Sequence, residues 1–349
     1  MTLLLLLGCA TGDADTAAPI DPVTLATSPG PFGVGHRTAT LELTDLAGEA
    51  RSVATFAWYP TDDTSGTPAT YFRGLLTSEV AWEDAAPRAG EHPVVVYSHG
   101  HQGYGEAASF LAEHLASHGF VVVAPDHTGN TTFDGDARDT LIYLQRTADL
   151  AATLDALEGG ALADLDGSGP IVAMGHSFGG YTVYGVAGAA YDVAAIAASC
   201  ADGTGGDVCT DWDDAWAARF AAHEGDPRVV AAIAMAPGDF RLFGAAGAAA
   251  VDVPTLQMTG ELDGERDADG AEYRAALVGH PWLDLTGGGH NAFVDLAGSL
   301  GDGQTLDPEI GHRVVRAYSL AFAAHHTGDA RMDDLLDGSV LVDEAGVLR

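Results

Sequence analysis

Apolar runs alternate with helical stripes along most of the chain, and this alternation predicts its elements. Residues 38–43 alternate apolar and polar, and residues 53–59 have strand character. Residues 93–97, 120–125 and 170–174 are short continuous apolar runs, as expected of strands covered on both faces. Residues 103–118 place Ala108, Leu111 and Leu115 on one helical face, closed by Gly119. Residues 139–157 place Leu144, Ala148, Ala151 and Leu154 at helical spacing, and Gly159-Gly160 stops that helix. A short helix is expected over 181–186. Strands are expected over 229–235, 254–259 and 282–285, and a last helix over about 308–325. Strands that alternate with helices imply a mostly parallel sheet covered on both faces.

This pattern occupies residues 30–330 and reads as one domain. Residues 10–29 are rich in Thr, Asp, Ala and Pro, show no period, and read as a flexible acidic linker. Residues 331–349 read as a C-terminal tail. Residues 187–228 exceed what a simple connection needs, and read either as an insertion over the site or as a surface excursion.

Charge narrows the partners. Of the 349 residues, 50 are acidic and 15 basic, giving a formal net charge of −35; every basic residue is arginine. Such a surface repels nucleic acid and anionic headgroups, and otherwise speaks to solubility more than to chemistry. The three cysteines suggest a compartment. Cys9 ends the run Leu3-Leu4-Leu5-Leu6-Leu7-Gly8-Cys9, whose Leu-Leu-Gly-Cys resembles a bacterial lipobox, so residues 1–9 read as a lipoprotein signal. No Lys or Arg precedes the run, which is too short to span a bilayer. Cys200 and Cys209 close a Gly-rich loop, which suits a disulfide in an exported protein; two free thiols are the alternative. With no further Cys or His nearby, no metal site is expected there.

The candidate chemistry begins at Gly175-His176-Ser177-Phe178-Gly179-Gly180, a G-x-S-x-G between an expected strand and an expected helix. A serine on so tight a turn is forced out above the sheet edge, where the helix start aims free N–H groups at developing negative charge. Serine is a poor nucleophile at neutral pH and needs a base oriented by an acid, which follow it in chain order on loops after later strands. Gly287-Gly288-Gly289-His290 follows the last expected strand, so His290 is the candidate base; His312, His325 and His326 lie on the final helix. Asp263 is the candidate acid, with Glu261, Asp267 and Asp239 as rivals. One oxyanion donor would be the N–H of Phe178. The other would come from Ser98-His99-Gly100-His101-Gln102-Gly103, assigned to His101 with Gln102 as alternative. The acidic segments 164–169 and 267–270 lack a full calcium-ligand series and read as turns.

Several segments together carry a resemblance: Trp58-Tyr59-Pro60, Ser98-His99-Gly100, Ala116-Ser117-His118-Gly119-Phe120, Ala124-Pro125-Asp126-His127, Gly129-Asn130-Thr131 and Gly175 to Gly180. From about Gly30 to His326 the chain resembles the α/β-hydrolases related to dienelactone hydrolase and platelet-activating-factor acetylhydrolase, and is similar to cutinase-type polyester hydrolases. The resemblance implies an α/β-hydrolase fold and carboxylic-ester hydrolysis through an acyl-enzyme, without cofactor or metal. Short-acyl or lipid esters are the first expected substrates and polyesters or cutin the second. A non-catalytic surface lipoprotein on this fold is the reading from another class. The nucleophile is serine, unlike the cysteine of true dienelactone hydrolases. Where the acetylhydrolases carry their acid, this chain reads Met235-Ala236-Pro237-Gly238, and Gly238 replaces the aromatic of the polyester hydrolases. The whole reads as an exported monomer of the cell envelope, held to the membrane through Cys9.

Overall fold

The computed structural model describes residues 20–162 and 164–349. Cys9 and the expected signal lie outside the described residues. The chain enters through α1 (Pro22–Thr27), then β1 (Gly33–Thr44) and β2 (Ala50–Thr61), and the hairpin β3 (Pro68–Tyr71) and β4 (Leu76–Glu83). Then come β5 (Val94–Ser98), α2 (Ser109–Ser117), β6 (Val121–Pro125), α3 (Thr140–Glu158), β7 (Ile171–His176) and α4 (Phe178–Val186). Helices α5 (Val193–Asp202) and α6 (Asp214–Ala221) precede β8 (Val229–Met235), α7 (Gly244–Ala248), β9 (Thr255–Gly260) and α8 (Ala271–Ala276). The last elements are β10 (Trp282–Leu285), α9 (Pro308–His326), α10 (Asp333–Leu336) and β11 (Gly346–Leu348).

The strands form one sheet in the order β11-β10-β9-β8-β7-β5-β6-β2-β1-β4-β3. The six strands from β10 to β6 in that order are mutually parallel. The antiparallel pairings join β2 to β6, β1 to β2, β3 to β4, and β11 to β10. Residues two apart on one strand share a face. Val95 and Tyr97 of β5 therefore pack with Leu111, Leu115, Val314 and Tyr318 under α2 and α9. Val94 and Val96 pack with Ile142, Leu150, Leu154 and Tyr181 under α3 and α4. The expected α/β architecture is thus the observed one. From β5 the chain steps to β6 on one side and, after α3, to β7 on the other. That switch opens a crevice at the carboxyl ends of the strands, where ligands bind in such sheets.

Three expectations change, and one left open is resolved. The helix expected from residue 103 starts only at Ser109. Residues 103–108 wind in turns because Gly105 N–H donates to Asp126 Oδ1 at 2.6 Å, and a Cβ on Gly105 would sit 2.8 Å from the Ala124 carbonyl. The linker assigned to 10–29 ends early. Asp21 caps α1, and Ala26 is fully buried, its carbonyl bonded by His114 Nε2 at 2.9 Å. The tail assigned to 331–349 is folded: Met332 and Leu335 are buried, and β11 extends the sheet. Residues 187–228 form α5, a 3-10 turn (Gly206–Cys209) and α6, and a Cys200–Cys209 disulfide ties α5 to the 3-10 turn. Thr140 Oγ1 donates to the Val208 carbonyl at 2.6 Å, which docks the segment on the start of α3. None of it lines the cavity at Ser177, so it is a surface excursion.

Candidate active site

The serine stands on a turn that few residues could make. Ser177 has φ 57° and ψ −120°, between the end of β7 and the first turn of α4. Such a conformation costs roughly 1–3 kcal/mol and persists only when its surroundings fix it. Here Ser177 N–H donates to the Met235 carbonyl at 2.8 Å, anchoring the turn to β8. A Cβ on Gly175 would lie 2.4 Å from the Gly179 carbonyl oxygen, and one on Gly179 would lie 1.9 Å from that of Ser98. Both glycines of the motif are therefore required by close backbone approach.

His290 and Asp263 meet Ser177 from the loops after β10 and β9. His290 Nε2 lies 2.8 Å from Ser177 Oγ, and His290 Nδ1 lies 3.0 Å from Asp263 Oδ2. The carboxylate accepts a hydrogen bond from Nδ1–H, which leaves Nε2 free to accept one from the serine hydroxyl. Glu265 N–H donates to the other carboxylate oxygen at 2.9 Å, which fixes the Asp263 rotamer. His176 Nε2 donates to the His290 carbonyl at 2.8 Å from below, and Asp302 accepts from Asn291 N–H at 2.6 Å beside it. Burial works against charge on His290, but the Asp263 bond and the negative charges of Asp263, Glu265 and Asp302 outweigh it, and its pKa is raised. For Asp263, burial pushes upward, yet the bond to His290 and its charge prevail, and the pKa is lowered. His176 is pushed down to about 3, by burial first and by His290 second, so it stays neutral beneath the base.

The rival acids stand elsewhere. Asp239 accepts from Arg138 Nη2 at 2.8 Å. Glu261 accepts from Gly287 N–H at 2.8 Å. Asp267 is exposed beside Arg266. Phe178 begins α4 and His101 lies in the loop after β5; among the described residues neither N–H has a protein acceptor. His101, Gln102, Ser177 and His290 all line one cavity of about 300 Å³, walled by Phe72, Tyr104, Val294, Leu296 and Leu300. Phe72 comes from the β3–β4 hairpin, which the hydrophobic pattern did not reveal. A larger hollow of about 680 Å³ lies at the N-terminal end of β9, away from these groups. Among the described residues no group of three or more His, Cys, Asp or Glu is placed to hold a metal ion.

Beneath the loop lies a polar network that sequence reasoning did not assign. Arg146 of α3 and His127 after β6 are fully buried, as is Asp149. Arg146 reaches His99, Asn130, Ser98 and Thr182. In the sequence His127 and Asn130 stand out only through the resemblance, and Arg146 lies within an ordinary helical pattern.

Comparisons with known proteins find likeness over parts of the chain and in the fold. A family model described as Chlorophyllase matches residues 84–201. A segment of 78 residues is 36% identical to platelet-activating factor acetylhydrolase of Bos taurus, covering 22% of this chain and 16% of that protein. The match thus spans only about a sixth of that relative's length. The solved structure of a ferulic acid esterase from Streptomyces cinnamoneus is similar over 86% of this chain and 92% of its own, with TM-score 0.63 and 22% identity. At that identity the likeness speaks for the fold.

Proposed function

We propose that this chain, which has the α/β-hydrolase fold, is a serine carboxylic-ester hydrolase working through an acyl-enzyme. One observation carries the reading: the bonded series Ser177–His290–Asp263, held in an apolar cavity at the carboxyl ends of the strands. Ser177 Oγ attacks the acyl carbon while His290 Nε2 takes its proton. The N–H groups of His101 and Phe178 receive the oxyanion. His290 then gives the proton to the leaving alcohol, which departs with the electron pair of the broken C–O bond. Water, deprotonated by the same nitrogen, releases the acid and restores Ser177. Asp263 holds the imidazole in the required tautomer and stabilises its cation.

A cavity of about 300 Å³ with Phe72, Tyr104, Leu296 and Leu300 in its wall favours short-acyl or lipid esters. Gly238 offers no ring for a polyester clamp. We extend the proposal to location: export and lipidation at Cys9, which the Cys200–Cys209 disulfide supports by its preference for oxidising compartments.

Hydrolysis of p-nitrophenyl esters from acetate to palmitate, by wild type and Ser177→Ala, tests the reading. Activity concentrated on short chains and lost by about 10⁴-fold or more in the variant is expected. A folded wild type inert on every ester would leave the surface-lipoprotein reading in its place.

A further inference from the structure

Arg146 is a fully buried cation, and its hydrogen bonds run to the two pieces of backbone that would hold the oxyanion. On one side, Nη2 donates to the His99 carbonyl and, at 3.2 Å, to Ser98 Oγ. Nη1 donates to Asn130 Oδ1 at 2.9 Å, which fixes the amide so that Asn130 Nδ2 points at His101 Nδ1, 2.8 Å away. Asn130 Nδ2 also donates to the Ala137 carbonyl, so the amide is satisfied on both ends. On the other side, Nε donates to Thr182 Oγ1 at 3.1 Å, and that hydroxyl donates to the Phe178 carbonyl at 2.9 Å. The guanidinium also lies 4.6 Å from the Phe178 ring centroid. One rigid fork thus ties loop 99–101 to the first turn of α4. We propose that Arg146, acting through Asn130 and Thr182, is the positioning residue that sets the spacing of the His101 and Phe178 N–H groups. This rests on the serine-hydrolase reading above.

Two physical points support the assignment. Burying a guanidinium without a bonded carboxylate is costly, and among the described residues none is hydrogen-bonded to this one. The charge of Asp149 offsets part of that cost, and the direct partners are oriented carbonyl, amide and hydroxyl dipoles, whose directions the fork fixes in turn. Burial lowers its pKa to about 9, so it remains charged at neutral pH. Moreover, the fork geometry is specific to arginine. A lysine at 146 would keep a charge but could not engage His99, Asn130 and Thr182 together.

Loss of one oxyanion donor costs about 10²–10³ in turnover, so misplacing one should cost up to that. Arg146→Lys and Asn130→Ala should therefore lower kcat by about 10- to 1,000-fold with KM changed only a few-fold. The discriminating readout is a pair of inhibitors. A trifluoromethyl ketone adds Ser177 and places an alkoxide in the hole; the matching methyl ketone binds as a neutral ground-state analogue. Across the variants, affinity for the fluorinated ketone should fall in step with kcat/KM while methyl-ketone affinity holds. Should Arg146→Lys fail to fold, Asn130→Ala carries the test, because it leaves the guanidinium its other bonds. Folded variants with wild-type kcat overturn the proposal, as does equal weakening of both ketones together with a lower melting temperature. A wild type that reacts with no fluorophosphonate sinks the parent reading and this inference with it.

Discussion

Among the described residues two Ser–His–Asp series share one connectivity, and they differ sharply in their surroundings. In the first, Ser177 Oγ lies 2.8 Å from His290 Nε2, and His290 Nδ1 lies 3.0 Å from Asp263. In the second, Ser98 Oγ lies 2.9 Å from His127 Nε2, and His127 Nδ1 lies 2.9 Å from Asp149. Distances do not separate them; their surroundings do. The His290 side chain is 24% exposed and faces the cavity, whereas His127 and Asp149 are entirely buried. Ser177 sits on a positive-φ turn beside free N–H groups, whereas Ser98 ends a regular strand and accepts from Arg146.

Electrostatics follow the same division. Carboxylates around His290 raise its pKa despite burial. Burial first, then the charges of Arg146 and Arg51, hold His127 well below its ordinary value. A histidine whose pKa is held so low by burial is poorly suited to be a general base. Its hydrogen bonds then serve structure: the His127 backbone N–H donates to His99 Nε2 at 2.9 Å, which leaves His99 Nδ1–H for the Gly100 carbonyl at 2.7 Å. The inner series holds the loop on which the outer one depends. Residue types and distances therefore do not define a catalytic triad; access, pKa and oxyanion donors do.

The largest expected contrast comes from matched changes to the two acids. Asp263→Asn should lower kcat by about 10⁴ through the wrong imidazole tautomer, with little change in melting temperature. Asp149→Asn should instead act mainly on stability, with any loss of kcat following from the loosened loop. Asp149 accepts from Arg51 Nη1 and Gln145 Nε2, each at 2.9 Å, as well as from His127. Breaking such a buried cluster costs about 3–5 kcal/mol in stability, to be read by denaturant unfolding. If both variants lost activity equally at unchanged stability, the distinction between the series would fail.

A smaller contrast appears with pH. His290 must be neutral to act as base, so kcat/KM should fall as pH drops through its raised pKa, with an acid limb centred above 6.5. The linkage of the inner histidines has a different signature. His127 and His99 are held well below 6.5 in the folded state, mainly by burial. Their unfolded forms take up protons near 6.5 while the folded forms do not. The stability they confer is therefore full above about 6.5 and is lost as pH falls towards their folded values. On acidification, activity should decline before the melting temperature does. A melting temperature that fell first, with kcat/KM still at its plateau, would break the assignment.

Much of the outer series was legible in the sequence because its parts are marked locally. The glycines around Ser177 report the tight turn, the Gly-rich turn before His290 reports a loop that must reach back, and the place just after the strand 254–259 points to Asp263 among rivals that share its chain order. The inner series carries no such marks. His127, Arg146 and Asp149 lie in a loop and a helix whose apolar stripe is ordinary, and a charged residue on a helix usually faces water. Only the return of α3 beneath β5 reveals that Arg146 points inward. The chain ends were misread for a related reason. Short segments such as residues 22–27 and 346–348 have too few positions to show a period, and order comes to them from the α9 helix and the sheet edge against which they lie. The hairpin that brings Phe72 to the cavity escaped for the same lack of length.

The most direct test is to react the folded wild-type protein with a fluorophosphonate and map the adduct by peptide mass spectrometry. A single adduct on Ser177, none on Ser98, and no labelling of Ser177→Ala is the predicted result. No adduct at all, or an adduct on Ser98, would contradict the claim that surroundings make the outer series the reactive one.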